Sequence, residues 1–265
     1  MKKTAAVEFV NISKVFESRY AIKHLNLTLP KEKITTIVGP SGCGKSTALK
    51  MINKLIVPDE GNIFIDGQDI GLMDSVHLRR NIGYVIQQIG LFPLMTIEEN
   101  ISIVPRLKGA KKEDIKDRVT ELLNLIGLDP EQYRYRYPSE ISGGQQQRIG
   151  VARALCADPS IILMDEPFSA LDPISRVQLQ DELVRLQKKL KKTVIFVTHD
   201  MDEALKISDQ MVLLKAGELV QSGDPIDLLR QPKNEFVREF IGDRYFQDSF
   251  IQLMYSMHDY EGAKR

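Results

Sequence analysis

At 265 residues, with 43% hydrophobic and 27% charged side chains, the chain is long enough to bury a sizeable core and has an ordinary soluble composition. Its 36 Lys and Arg balance its 36 Asp and Glu, so no basic excess points to a nucleic-acid surface. No apolar run approaches the ~20 residues of a membrane-crossing helix; Glu8 interrupts the opening "MKKTAAVEFV" before a signal-type stretch forms, and a cytoplasmic chain is expected.

Residues 7–38 alternate short β-type runs ("VEFVNI", "IKHLNLTL", "ITTIVG") with turn residues such as Pro30 and Lys31. The β-branched "ITTIVG" predicts a buried strand that runs straight into a glycine-rich loop. "STALKMINKLI" has helical spacing through Leu49, Ile52 and Leu55/Ile56 and should run until just before Pro58. "GNIFIDGQDI" reads as a strand with an Asp-Gly turn. From about 111 to 127, Ile115, Val119, Leu122, Leu123 and Ile126 share one face of an amphipathic helix, and Gly127 suits its C-terminal cap. A further helix should begin at Ser142. "IILM" (161–164) and "TVIFVT" (193–198) are buried strands, separated by a helix over about 174–191 that carries an Asp181–Arg185 pair. "MVLLKAGELVQSG" is a hairpin around Ala216-Gly217, and the tail after about 242 keeps weak helical spacing at Phe246, Phe250, Leu253 and Met254.

Strands buried on both faces alternate with helices, so the class is α/β, a mostly parallel sheet covered by helices. An antiparallel β subdomain is expected at the N-terminus, and the helix-only stretch at about 96–155 is the natural inserted subdomain. The division is one domain over 1–241 and a short tail over 242–265, with no internal repeat. Cys43 and Cys156 have neither CxxC spacing nor clustered histidines and read as two buried thiols.

The loop Gly39-Pro40-Ser41-Gly42-Cys43-Gly44-Lys45-Ser46-Thr47 fits GxxxxGK[ST] in the right context, strand before and helix after. Its glycines let successive N–H groups turn around phosphate oxygens at a positive helix end. Lys45 is expected to reach the β- and γ-phosphates of ATP, and the Ser46 hydroxyl to ligate Mg²⁺. "IILMDEP" supplies the complementary carboxylates: Asp165 near the metal through water, Glu166 to polarise the attacking water. His199 follows another buried strand, and because open α/β sheets bind ligands beyond the carboxyl ends of their strands, it should face the γ-phosphate.

A second glycine pair stands in "ISGGQQQR". Ser142 caps a helix whose first N–H groups Gly143 and Gly144 leave bare, an anion site with neither lysine nor metal carboxylate. Such a tip supplements a γ-phosphate but does not hold a nucleotide alone. The economical reading is that it serves nucleotide held by another copy of the chain.

"GPSGCGKST", "ISGGQ", "IILMDEP", "SALD" and "THD", in this order and spacing, resemble the nucleotide-binding subunit of ATP-binding cassette (ABC) transporters over about residues 7–240. The resemblance implies a P-loop NTPase core and a head-to-tail homodimer with two ATP molecules at its interface, each phosphate loop facing Ser142, Gly143, Gly144 and Gln145 of the other subunit. It further implies that Gln87, in "GYVIQQ", senses Mg²⁺ and the attacking water, that Asp172, in "SALD", couples the two sites, and that Phe16, with Tyr20 as fallback, stacks on adenine. Separate permease subunits and a solute-binding protein are then expected, with the chain peripheral on the cytoplasmic face of the membrane.

"LKMINKLIVPDEG", "GYVIQQIGLFPLMTIEENI", "YPSEISGGQQQR" and "THDMDEALKISDQ" look like ATPases of glycine betaine, carnitine and choline importers. Those often carry tandem CBS domains after the cassette; about twenty-five residues follow Ile241 here, so regulation of that type is not expected. Importers of amino-acid-like solutes, a separate-subunit exporter, and a soluble ABC protein of repair or translation are the alternatives; the last usually pairs two cassettes or carries a long coiled coil. "YRYRYP" (133–138) interleaves aromatics with arginines as single-strand platforms do, but without other basic clustering it reads as a solvated loop. "RLQKKLKK" (185–192) is a helix end favoured by the dipole. "IGLFPLM" (89–95), apolar and turn-broken, reads either as a buried loop or, more sharply, as a groove edge that receives a short helix of a membrane subunit.

Overall fold

The computed structural model describes residues 5–87, 90–169 and 171–246, of Arg244 the backbone only. In chain order the elements are β1 (Ala5–Phe16), β2 (Arg19–Pro30), β3 (Ile34–Val38), α1 (Lys45–Ile52), β4 (Glu60–Ile65), β5 (Gln68–Asp69), α2 (Ser75–Arg80), β6 (Ile82–Val85), α3 (Ile97–Leu107), α4 (Lys112–Leu125), α5 (Pro130–Tyr133), α6 (Gly143–Cys156), β7 (Ile161–Asp165), α7 (Pro173–Leu190), β8 (Thr193–Val197), α8 (Met201–Ile207), β9 (Gln210–Lys215), β10 (Glu218–Gly223), α9 (Pro225–Arg230) and α10 (Glu235–Ile241).

Strands β10-β9-β3-β8-β7-β6 form one sheet in that order; every neighbouring pair is parallel except the β9–β10 hairpin. Strands β2-β1-β4-β5 form a separate antiparallel sheet. All five residues of each of β3, β7 and β8 are buried, as expected of parallel strands covered on both faces. Their side chains alternate between two cores. Leu163, Ile195 and Val197 join Leu49 and Ile52 of α1 and Leu25 of the antiparallel sheet. Ile162, Met164, Val194 and Phe196 instead join residues of α3, α4, α6 and α7. The apolar face predicted from Ile115 to Ile126 is buried in that second core. A third cluster seats α8, α9 and α10 against Val38, Met211 and Leu213.

Three expectations need correction. Helix α1 stops at Ile52, with Lys54 in a left-handed conformation, and Leu55 is 50% exposed. Its end is taken up by Arg79, which donates to the Asn53 and Lys54 carbonyls at 3.1 and 2.8 Å. Asp181 does not pair with Arg185: it meets Lys206 of α8 at 2.7 Å, while Arg185 lies 3.7 Å from Glu182. The 133–138 segment is not a solvated loop throughout. Arg134 is buried, bonded to Glu98 at 2.6 Å and to the Thr120 hydroxyl, and ties the start of α3 to α4. The tail positions Phe250, Leu253 and Met254 lie outside the described residues.

Candidate functional site

Strand β3 delivers the chain into the loop 39–44, and both flanks of that loop press on backbone. A Cβ on Gly39 would lie 2.2 Å from the Leu214 carbonyl oxygen and 2.6 Å from Cys43 Sγ. One on Gly44, at φ +104°, would lie 2.3 Å from the Ala21 carbonyl oxygen. Neither position has room for a side chain. The Ala216-Gly217 turn closes the outside: Gly217 N–H donates to the Cys43 carbonyl at 3.1 Å, and Lys23 N–H to the Gly217 carbonyl at 2.9 Å. Lys45, buried, curls back to donate to the Gly39 and Pro40 carbonyls at 2.8 and 3.0 Å. The loop is thereby held around its own ammonium, with Ser41 and Gly42 exposed and Thr47 half-buried on α1.

One residue along, the Ser46 hydroxyl donates to Asp165 Oδ1 at 2.8 Å. This contact joins α1 to the end of β7 and places a hydroxyl and a carboxylate side by side, both hard oxygen donors of the kind Mg²⁺ takes. Among the described residues no group of three or more His, Cys, Asp or Glu could hold a metal by itself. Two neighbours of Asp165 had no local sequence signal. Lys50 Nζ lies 4.0 Å from Oδ2, and Tyr84 reaches it from the adjacent strand β6; burial, then the Asp165 charge, pushes the Tyr84 hydroxyl far above its ordinary range.

Three strand ends converge on Glu166. Its backbone sits at φ +46°, with N–H donating to the Val197 carbonyl at 2.9 Å. Gln87 Nε2, two residues past β6, donates to Oε2 at 3.3 Å, and His199 Nδ1, two residues past β8, lies 3.2 Å from the same oxygen. Gln87 and His199 are both exposed, so this is an open rim and not a packed core. Ser169 braces the loop by donating from its hydroxyl to the Glu166 carbonyl at 3.0 Å. Asp172 caps α7 through the Ile174 and Ser175 N–H groups, and the bonds to Ser175 first of all hold its carboxyl below the usual range.

Phe16 is 47% exposed at the end of β1, paired with Arg19, beside the strand whose Ala21 touches Gly44. Lys14 Nζ lies over its ring at 5.3 Å. Phe16 is thus exposed and not a core filler, and Tyr20 is similarly exposed.

The predicted second tip is built differently. Ser142 and Gln145 form a reciprocal capping box at 3.3 and 2.9 Å, and Gln145 Nε2 donates to the Tyr133 hydroxyl at 3.0 Å. Ser142 and Gly143 are exposed. A Cβ on Gly143 would meet nothing within 4 Å, and one on Gly144 only Ser175 Oγ at 3.9 Å. Neither glycine is required by conformation or space within the chain.

A family model described as ABC transporter matches residues 22–169, from the strand against the loop to the Glu166 turn. The chain belongs to the ABC transporter family. The choline transport ATP-binding protein OpuBA of Bacillus subtilis is 58% identical over 241 residues, covering 90% of this chain and 63% of that protein. The glycine betaine/carnitine/choline transport ATP-binding protein OpuCA of the same organism is 59% identical over 232 residues, covering 87% and 61%. This cassette thus spans about three fifths of the length of these relatives. A dimeric, post-hydrolysis structure of the ATP-binding cassette MJ0796, bound to ADP and Pi, superposes with a TM-score of 0.73 at 36% identity, covering 83% of this chain and 98% of that one. The shared architecture is the P-loop NTPase core with a mostly parallel sheet, an antiparallel β sheet and the helices inserted between β6 and β7. Among the described residues no helix is long and apolar enough to cross a membrane.

Proposed function

We propose that the chain is the ATP-hydrolysing subunit of an ABC importer for a quaternary amine or osmoprotectant-type solute. The observation that carries the hydrolytic reading is the convergence of Gln87 and His199 on Glu166 Oε2, next to the Ser46–Asp165 pair. Lys45 exchanges its two loop carbonyls for phosphate oxygens, a charge-assisted bond in place of neutral ones. With Oε2 engaged by Gln87 and His199, Glu166 addresses a water through Oε1 and takes up its proton as it attacks the γ-phosphate. Ser46 and, through water, Asp165 would hold Mg²⁺, with Gln87 at its edge; when bound, the ion offsets the charge that develops on the phosphates. Phe16 offers its face to adenine, with Tyr20 the alternative.

The bare tip at 142–145 supports action across a homodimer. A helix N-terminus favours an anion by about 0.3–1 kcal/mol when exposed, enough to supplement a nucleotide site but not to make one. Glycines that the fold itself does not need leave room for a partner copy's γ-phosphate to approach the N–H groups, and Asp172 stands on the same side, 3.9 Å separating a Cβ on Gly144 from Ser175 Oγ in the next turn. Closure available only with ATP is what would drive permease subunits bound on the cytoplasmic face. An open cleft of about 340 Å³ lined by Tyr84, Gly90, Phe92, Ile103, Val104 and Leu107 suits a short permease helix; Leu94, two residues past Phe92, is 90% exposed, and Ile89 lies outside the described residues. A solute-binding protein acts on the far side of those subunits. The names of the relatives favour choline- and betaine-like solutes over amino-acid-like ones, and import over export.

The reading is tested first on the purified chain: Glu166→Gln should retain ATP, elute as a dimer and turn over at least about 100-fold more slowly. Hydrolysis at the parental rate would place the base elsewhere. Reconstitution with its permease subunits should then give ATP-dependent accumulation of labelled choline or glycine betaine. Extrusion, or uptake of amino acids alone, would overturn the solute assignment.

A further inference from the structure

Arg176 takes no part in the chemistry above, yet it touches both loops that carry it. It lies in the first turn of α7. Its Nη2 donates at 3.2 Å to the carbonyl of Leu171, the residue before Asp172. Its Nη1 donates at 3.2 Å to Oδ2 of Asp200, the residue after His199. The remaining nitrogen, Nε, is buried with no partner, a cost that an ordinary surface arginine does not carry. The planar guanidinium holds two acceptors at a fixed separation, which a lysine ammonium on its flexible stem does not.

What Arg176 grips is itself fixed. Asp200 Oδ1 caps α8 by accepting from Glu203 N–H at 3.2 Å, and Asp200 N–H donates to the Thr198 hydroxyl at 3.0 Å. Further along, Gln180 Nε2 donates to buried Glu203 Oε1 at 3.1 Å, and Lys206 meets Asp181 at 2.7 Å. Helices α7 and α8 are thus laced together by polar contacts, which specify geometry more than they add stability. Arg176 is the end of that lacing that borders the site.

We infer that Arg176 is a positioning residue: its fork ties the loop before Asp172 to the loop after His199, so that a partner copy arriving at Asp172 is registered at the histidine beside Glu166. The inference rests on the roles proposed above for Asp172, His199 and Glu166. The test is ATP turnover by the purified full chain. Arg176→Met, which keeps the apolar stem, should lower kcat by roughly tenfold and leave KM for ATP within about twofold. Arg176→Lys, satisfying one acceptor at a time, should fall between it and the parent. Arg176→Met combined with Asp200→Asn should be no slower than the slower single variant, because both break the same link. In a Glu166→Gln background, Arg176→Met should bind ATP as tightly as that parent. An unchanged kcat, fully additive losses in the double variant, or joint loss of ATP binding and melting temperature would each overturn the positioning role. An inactive parental chain would overturn the hydrolytic reading as well, whereas an active parent indifferent to Arg176→Met would overturn this inference alone.

Discussion

The helix that begins at Lys45 and the helix that begins at Gly143 both present bare N–H groups, but only the first is walled in by its own chain. Around the first, Leu214, Ala21 and the Gly217 turn press on the loop, and a lysine waits inside it. At the second, Ser142 and Gln145 satisfy each other, the tip faces outward, and two glycines stand where nothing in the chain excludes a side chain. A helix gives up as much as about 1 kcal/mol for an interior glycine relative to alanine, and less in the first turn, where Gly143 and Gly144 stand. Where the fold does not explain such a residue, the explanation belongs to whatever approaches from outside. The contrast teaches that one helix end is enclosed by its own chain while the other is left open, which is what the proposed action in trans requires.

Breaking the first helix end should have the largest effect. Lys45→Ala should weaken equilibrium binding of a fluorescent ATP analogue by at least about 100-fold, or some 2.7 kcal/mol. Normal affinity in that variant would remove the ammonium from the site. Breaking the second should leave binding alone: Ser142→Arg should cut turnover by about 100-fold, while ATP binding at concentrations where the chain is monomeric stays within about twofold. If both are lost together, the helix tip is needed for folding and the case for action in trans fails.

A finer test compares alanine at the two ends. Gly39→Ala should cost on the order of 2–4 kcal/mol in denaturant unfolding, because its Cβ meets backbone. Gly143→Ala should be neutral or stabilise by up to about 1 kcal/mol, yet slow hydrolysis. Equal losses of stability would erase the distinction between the two ends. The smallest effect concerns the thiols, one beside each helix. Burial pushes Cys156, the last residue of α6, up to about 11. Burial also raises Cys43, but Lys45 opposes it. A higher thiol pKa means less reactive thiolate at pH 8, so a maleimide should modify native Cys43 faster, with ATP slowing that reaction and not the one at Cys156. Quicker labelling of Cys156, read by mass spectrometry of peptides, would contradict this ordering.

What was legible in the sequence had local causes. The short apolar runs at 34–38, 161–165 and 193–197, the first and last rich in β-branched residues, are buried strands, and the glycine loop follows directly from the first. Ser46 and Asp165 were readable as partners although 119 residues separate them, because each motif implies the other. The misreadings all involve distant partners. The spacing from Leu49 to Leu55 continues a helical pattern, but Lys54 turns left-handed and Arg79 binds the carbonyls at the helix end. Arg134 looked solvated until Glu98 and Thr120 closed over it. Tyr84 and Lys50 beside Asp165 carry no motif, and β6, four residues long, is too short to announce itself. Gln87, placed only by the resemblance, contacts Glu166, while Gln88 lies outside the described residues.

Glu166 holds its carboxylate from a backbone angle of +46°, a region that L side chains occupy at a penalty of about 1–2 kcal/mol. Glycine there would relax the turn. Bred for heat tolerance alone, with no demand for work, the polypeptide would therefore drift toward a sturdier version of itself that lacks the carboxylate proposed to activate water.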